Sequence, residues 1–306
     1  MGIVVFGAVF VDIKGYPLSQ YIPAGRNIGR VVQVFGGVSR NVAEDIANIG
    51  LKPAFVSVVD QTGISTDILK HLQDHEVNTD YILRRDGGLG TWLAVFDNLG
   101  DVVASISKRP DLSAINEILD EYGDRIFAEA DSIVVEIDMA SDLLEKIFAK
   151  AKEHHKQIYA VVSNMSIAME RRDLLQRTGC IVCNEQEAGI FFSDHYESRS
   201  PADLARILAG KIVQARIPRM VVTMGDQGAV YAEIGGESGF CPPQKVDVID
   251  TTGAGDAFFS GVAAGLTYGK TLAEACRIGT RLAASVIMTD ENCCPRFTPE
   301  EFDLYL

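Results

Sequence analysis

Asp250-Thr251-Thr252-Gly253-Ala254-Gly255-Asp256 leads straight into the apolar stretch Ala257-Phe258-Phe259-Ser260-Gly261. The run reads as a strand end, a glycine turn and the first turn of a helix. Gly253 and Gly255 let the backbone bend and approach a ligand with no Cβ in the way. Free N–H groups at a helix start face an anion, and the helix dipole favours negative charge there. Asp256 places a carboxylate beside that phosphate cradle. Such a charge is repulsive unless it accepts a proton from an attacking hydroxyl, so the run points to phosphoryl transfer onto an alcohol. Other loops fit less well. A dinucleotide fingerprint needs a third glycine where Phe258 stands, and a Walker-type loop needs a lysine after the turn. An ordinary capped helix would explain a lone Gly-x-Gly-Asp, but not this seven-residue run.

Around this loop the chain alternates short β-rich runs with amphipathic helical stretches, the pattern of an α/β fold. Strands are expected at 3–11, 53–59, 132–137, 157–162, 180–183 and 219–223. Helices are expected at 39–49, 65–73, 141–154, 185–192, 202–215, 257–267 and 272–288. Two segments break the rhythm. Residues 15–35 carry Pro17, Pro23, Gly25 and Gly29, with a strand at 31–35, and 91–97 with 101–107 form a hairpin around Asn98-Leu99-Gly100. Neither is followed by a crossover helix. The expected division is therefore an α/β domain of residues 1–14, 36–88 and 108–306, and a β lid of residues 15–35 and 89–107 that can close over the strand ends.

With 306 residues the chain can bury a large core in one or two domains. A net charge of −14 argues against nucleic-acid and anionic-membrane partners, because both rely on basic surface. No apolar run approaches the ~20 residues that span a bilayer. Residues 3–6 read as a short strand without the basic flank of a signal peptide, so a cytoplasmic protein is expected. Cys180-Ile181-Val182-Cys183 has the gap of a zinc or redox pair, but Ile-Val between the thiols reads as a buried strand, and the six cysteines are expected buried and reduced.

Three further constellations carry chemistry. Gly36-Gly37-Val38-Ser39-Arg40-Asn41 is a second glycine turn opening a helix. Asn41 there offers both a donor and an acceptor, the mixture a polyol needs. Asp12, at the end of the first expected strand, could accept from neighbouring hydroxyls or simply cap a turn. Arg40 could neutralise a phosphate or form a solvated surface ion pair. Asn184-Glu185-Gln186-Glu187 follows a strand and matches a capping box, although an amide and a carboxylate could equally organise hydrated magnesium. Thr223-Met224-Gly225-Asp226-Gln227-Gly228 follows another strand, either as a tight turn or as backbone against which a nucleotide lies.

Taken together, Gly36-Gly37 with Asn41, Asn184-x-x-Glu187, Thr223-x-Gly225-x-x-Gly228 and the 250–256 run resemble, in order and spacing, the PfkB or ribokinase-like carbohydrate and nucleoside kinases. The resemblance covers essentially the whole chain. It implies a three-layer α/β/α sandwich with a small β-sheet lid that also forms a homodimer contact, ATP as donor, and Mg²⁺ with, in many members, a monovalent cation such as K⁺. It implies that Asp256 is the catalytic base and that the amides of Gly253, Ala254, Gly255 and Asp256 form the anion hole. Asp12, Gly36, Gly37 and Asn41 would hold the sugar, and Thr223, Gly225 and Gly228 the ATP. Asn184 and Glu187 would position Mg²⁺ through its waters, and Asp250 and Thr252 the monovalent cation. The segment Asp290-Glu291-Asn292-Cys293-Cys294-Pro295 departs from the small residues and glycine usual in the family's cation loop. Val162-Ser163-Asn164 keeps only the asparagine of a common Asp-x-Asn. Gly-Gly-Val-Ser-Arg-Asn and the 93–101 lid stretch are most similar to the pseudouridine kinase branch, which implies phosphorylation of pseudouridine to its 5′-phosphate. A kinase of free ribose or fructose is the alternative, and a non-catalytic sugar or nucleoside sensor is the second.

Overall fold

The structure, a computed structural model, describes residues 2–162 and 164–304. In chain order the strands are β1 (Gly2–Phe6), β2 (Phe10–Pro17), β3 (Gly29–Gly36), β4 (Ala54–Val59), β5 (Ile82–Arg84), β6 (Gly90–Phe96), β7 (Val102–Lys108), β8 (Ala130–Glu136), β9 (Ile158–Val161), β10 (Ile181–Asn184), β11 (Arg219–Thr223), β12 (Ala229–Glu233) and β13 (Ser238–Cys241). The helices are α1 (Val38–Asn48), α2 (Gly63–Asp74), α3 (Ile115–Glu129), α4 (Ser141–Glu153), α5 (Met165–Met169), α6 (Arg172–Leu175), α7 (Glu185–Phe192), α8 (Pro201–Ala215), α9 (Ala254–Thr267) and α10 (Leu272–Ile287).

Strand β1 shows how the layers arise. Successive side chains on a strand point to opposite faces. Ile3 and Val5 enter a core shared with Val42, Ile46, Val262 and Leu282, while Val4 and Phe6 enter one shared with Ile115, Phe127, Leu144 and Leu208. Helices therefore cover both faces, which is why these strands are continuous apolar runs. The nine-stranded sheet has the order β13-β12-β11-β10-β9-β8-β1-β4-β5. It is parallel from β11 to β5, with β12 and β13 added antiparallel at one edge. This is the expected α/β/α sandwich. Helices α9 and α10 pack without a gap where Gly261 faces Gly279: a Cβ on Gly261 would lie 2.6 Å from the Gly279 Cα.

The first expected strand, 3–11, is in fact two. β1 stays in the large sheet, and β2 leaves it to pair with β3 and β6 in a second, four-stranded sheet of order β3-β2-β6-β7. The break falls at Gly7, where a Cβ would lie 1.9 Å from the Ser39 Oγ. An apolar run without proline conceals that close approach from sequence reading. The small sheet thus takes residues from Phe10 onward rather than from 15, and Asp12 sits inside a lid strand instead of at the end of a core strand. Helix α3 has no counterpart among the sequence expectations; Gly123 interrupts its apolar stripe. Among the described residues no helix is long and apolar enough to cross a membrane.

Candidate active site

The 250–256 loop separates two cavities. Thr252, Gly253 and Asp256 line a first cavity of about 870 Å³, while Thr251, Ala254 and Gly255 line a second of about 610 Å³. α9 starts at Ala254, earlier than expected, so Asp256 lies in its first turn. Gly253 is the N-cap, at φ 82°, and no side chain caps the helix. The Ala254 N–H makes a 3.3 Å bond to the Thr251 carbonyl, while the Gly255 and Asp256 amides keep their hydrogen-bonding capacity for a ligand. Glycine is required here by contact as well as by φ, because a Cβ on Gly253 would lie 2.0 Å from the carbonyl oxygen of Asn292. Asp250 ties the loop into a turn, its Oδ1 accepting from both the N–H and the Oγ1 of Thr252 at 2.8 Å.

The first cavity gathers residues far apart in sequence. Asp12 and Trp92 come from the lid, Gly37 and Asn41 from the start of α1, and Asp256 from α9. Gly36 is not among its lining residues. A Cβ there would come within 2.6 Å of the Asp12 carboxylate, so this glycine makes room for Asp12. The Asn41 Nδ2 donates to the Asp256 Oδ2 at 2.7 Å. Burial pushes the half-buried Asp256 carboxyl up to about 7, the Asn41 hydrogen bond and Arg40 opposing and Glu136 and Asp12 adding. A carboxylate titrating near neutrality can both accept and release a proton at working pH. Burial also raises Asp12, against the pull of Lys14 and Arg40.

The second cavity is mostly apolar. Thr223, Gly225 and Gly228 at the end of β11 lie across it from Ala254 and Gly255. Phe258, Ala283 and Ile287 supply apolar walls, and Lys245 a positive charge. A flat ring with a phosphate tail aimed at the α9 amides fits this shape and chemistry.

Asn184 and Glu187 line neither cavity. They form a complete capping box at the start of α7: the Glu187 N–H donates to Asn184 Oδ1 and the Asn184 N–H to Glu187 Oε2, both at 2.8 Å. Burial raises the Glu187 carboxyl, and Asp138 adds to the shift. Asn164 does line the first cavity, and its Oδ1 caps α5; Ser163 lies outside the described residues. Arg40 is not on the surface and lines neither cavity. It is 1% exposed, donates to Glu44 Oε2 at 2.5 Å, to Asn292 Oδ1 at 3.2 Å and to the Phe35 carbonyl, and its NH1 lies 3.5 Å from the Cys293 Sγ. All six cysteines are free and buried.

Sequence reasoning missed Trp92, Arg109, Glu136 and Asp138, all of which line the first cavity. Glu136 accepts from the Ala8 N–H at 3.1 Å and the Ser39 Oγ at 2.8 Å, and Arg109 donates to Asp138 Oδ2 at 3.3 Å. Glu136-x-Asp138 at the end of β8 was the available signal, since ligands of parallel sheets gather outside strand C-termini.

A phosphate cradle between two cavities, with a carboxylate on one side, defines a phosphotransferase. Residues 2–295 match the family described as pfkB family carbohydrate kinase, and the chain belongs to that family, whose members are ATP-dependent kinases of small sugars or nucleosides. It is 35% identical over 292 residues to the guanosine-inosine kinase of Exiguobacterium acetylicum, covering 95% of each chain. It is 28% identical to the pseudouridine kinase of Escherichia coli (strain K12), covering 90% of this chain and 87% of that one. An Arabidopsis thaliana ribokinase solved with ribose and ATP superposes with a TM-score of 0.82 over 99% of each chain at 17% identity, a likeness of fold.

Proposed function

We propose that this kinase transfers the ATP γ-phosphoryl to the 5′-hydroxyl of a nucleoside, with guanosine or inosine as first candidates and pseudouridine as the next. The supporting observation is the reach of the first cavity. It runs from Asp256 past Trp92 to Arg109, Asn116 and Asp142, and a free pentose at Asp256 would leave those groups unused. An aromatic ring and a set of donors and acceptors suit the faces and edges of a base. The similarity to a guanosine-inosine kinase at 35% identity favours a purine.

In this reading Asp12 and Asn41 hold the ribose, and Asp256 takes the proton from the attacking hydroxyl. The amides of Gly253, Ala254, Gly255 and Asp256 stabilise charge on the transferring group. Thr223, Gly225 and Gly228 lie along the nucleotide. The donor set suits Mg²⁺ held through water. Burial raises both the Glu136 and Glu187 carboxyls and Asp138 adds to each shift, and such mutually repelling carboxylates are what a hydrated Mg²⁺ relieves. Bound Mg²⁺ would neutralise charge on the phosphates. Asn184 would act by keeping Glu187 in place. A K⁺ site at Asp250 and Thr252 is carried by the resemblance alone; Asp250 Oδ1 is engaged by Thr252, and Lys14 of the lid lends positive charge to Asp250. Val31, Leu93 and Ile106 leave apolar surface exposed on the lid, which supports a homodimer through this sheet, readable by light scattering.

The test is ADP release with guanosine, inosine, pseudouridine, uridine, ribose and fructose. A nucleoside should give the highest kcat/KM. Preference for ribose or fructose would restore the free-sugar alternative, and nucleoside binding without ADP release the sensor alternative.

A further inference from the structure

Away from both cavities, α2 carries His71 and His75 one helical turn apart, both directed at Glu44 of the neighbouring α1. The His71 Nε2 lies 3.0 Å from Glu44 Oε2, and the His75 Nδ1 lies 3.8 Å from Glu44 Oε1. One ligand atom from each of the three residues lies within 4.8 Å of the other two. The His75 Nδ1 is also 2.7 Å from the Asn48 Oδ1. Donors around a tetrahedral ion with bonds of about 2.0–2.1 Å are roughly 3.3 Å apart. The histidine–carboxylate separations of 3.0 and 3.8 Å, to the two different Glu44 oxygens, fall on either side of that value, and with all three ligand atoms within 4.8 Å, rotation of the side chains would bring them round one ion.

We infer that Glu44, His71 and His75 form a site for a divalent transition-metal cation of the zinc class, with the Asn48 Oδ1 or a water completing its shell. Two imidazoles and one carboxylate favour zinc, cobalt or nickel over magnesium, which prefers an all-oxygen shell. The surroundings support the ligands. Arg40 holds the Glu44 carboxylate through Oε2 at 2.5 Å, which leaves Oε1, on the His75 side, for an ion, and Asn48 is itself anchored by its Nδ2 to the Cys294 carbonyl at 2.7 Å. The Glu44 side chain is 6% exposed, whereas those of His71 and His75 are 34% and 26% exposed, so an ion can enter from solvent. Once bound, it would pin α2 to α1 and, through Arg40 and Asn48, brace the 292–294 segment that backs Gly253.

The experiment is a Co²⁺ titration of the full chain after chelator treatment, without nucleotide and with Mg²⁺ in excess, read by visible absorption. Thermal melting with added Zn²⁺ is the second measurement. The expected result is one equivalent of Co²⁺ with bands of a four-coordinate nitrogen–oxygen site, no thiolate charge-transfer band, and a melting temperature raised by Zn²⁺. His71→Gln and His75→Gln should each weaken binding at least about tenfold. Absence of Co²⁺ binding to the wild-type chain, thiolate bands, or equal binding by the double variant would overturn the site. The wild-type titration decides the question even if a variant does not fold.

Discussion

The Asn41 carboxamide donates its 2.7 Å hydrogen bond to Asp256 from the first turn of α1, so the Gly36–Gly37 turn holds the carboxylate that follows the Gly253–Gly255 turn. That bond favours the ionised form, and burial opposes it. Asp256 must be ionised to accept a proton, so kcat/KM should rise with pH through about 7 and then level. Asn41→Ala removes a contact that lowers the pKa, and the acid limb should move to higher pH. A pH–rate profile of both proteins checks this; a limb that stays in place or moves down would count against it.

Asp256→Asn should remove at least the roughly 10²–10⁴-fold that a general base supplies, while keeping the fold. The folded carboxyl is raised above its ordinary value, so its contribution to stability is complete at low pH and is lost as pH rises through about 7. The variant should therefore gain on the wild type between about pH 4 and about pH 7, by up to about 1.4 kcal/mol per pH unit, and gain nothing further above that. Melting curves across that range check it, and a pH-independent difference would contradict it.

Gly253→Ala and Gly255→Ala should behave differently although two residues apart. A Cβ at Gly253 meets the Asn292 carbonyl at 2.0 Å and needs φ 82°, whereas at Gly255 nothing lies within 4 Å. Overpacking and strain together should cost Gly253→Ala about 2–4 kcal/mol. Gly255→Ala should fold normally, and any loss should appear in the KM for ATP. Denaturant unfolding and steady-state kinetics separate the two.

Arg40→Met should destabilise the fold by about 3–5 kcal/mol, the usual cost of breaking a buried ion pair on one side. It also removes a charge that lowers the Asp256 pKa, so residual activity should need higher pH. Arg40→Lys keeps the charge and loses the fork to Asn292 and Phe35, and should recover the pH profile better than the stability.

Much of the site was legible because its motifs are local. The limits of Glu185–Phe192 and Arg219–Thr223 match their expected ranges, since Asn184 caps the first and an unbroken apolar run marks the second. Arg40 was not legible: an arginine on the first turn of a helix looks solvated, and only the return of residues 292–294 buries it. Gly7 hid the passage of the chain from one sheet to the other for the same reason, as the atoms that exclude its Cβ come from Ser39 and Glu136.

The sequence by itself determined the reaction class, because a glycine turn, free helix-start amides and a following carboxylate act through neighbouring residues of one short run. Only the tertiary structure decided which groups face that run. Trp92, Arg109, Glu136 and Asn292 reach the cavity beside the 250–256 loop through sheet order and helix packing, over separations at which local patterning carries no information. The loop names the chemistry, and the packing around it shapes the room left for the acceptor.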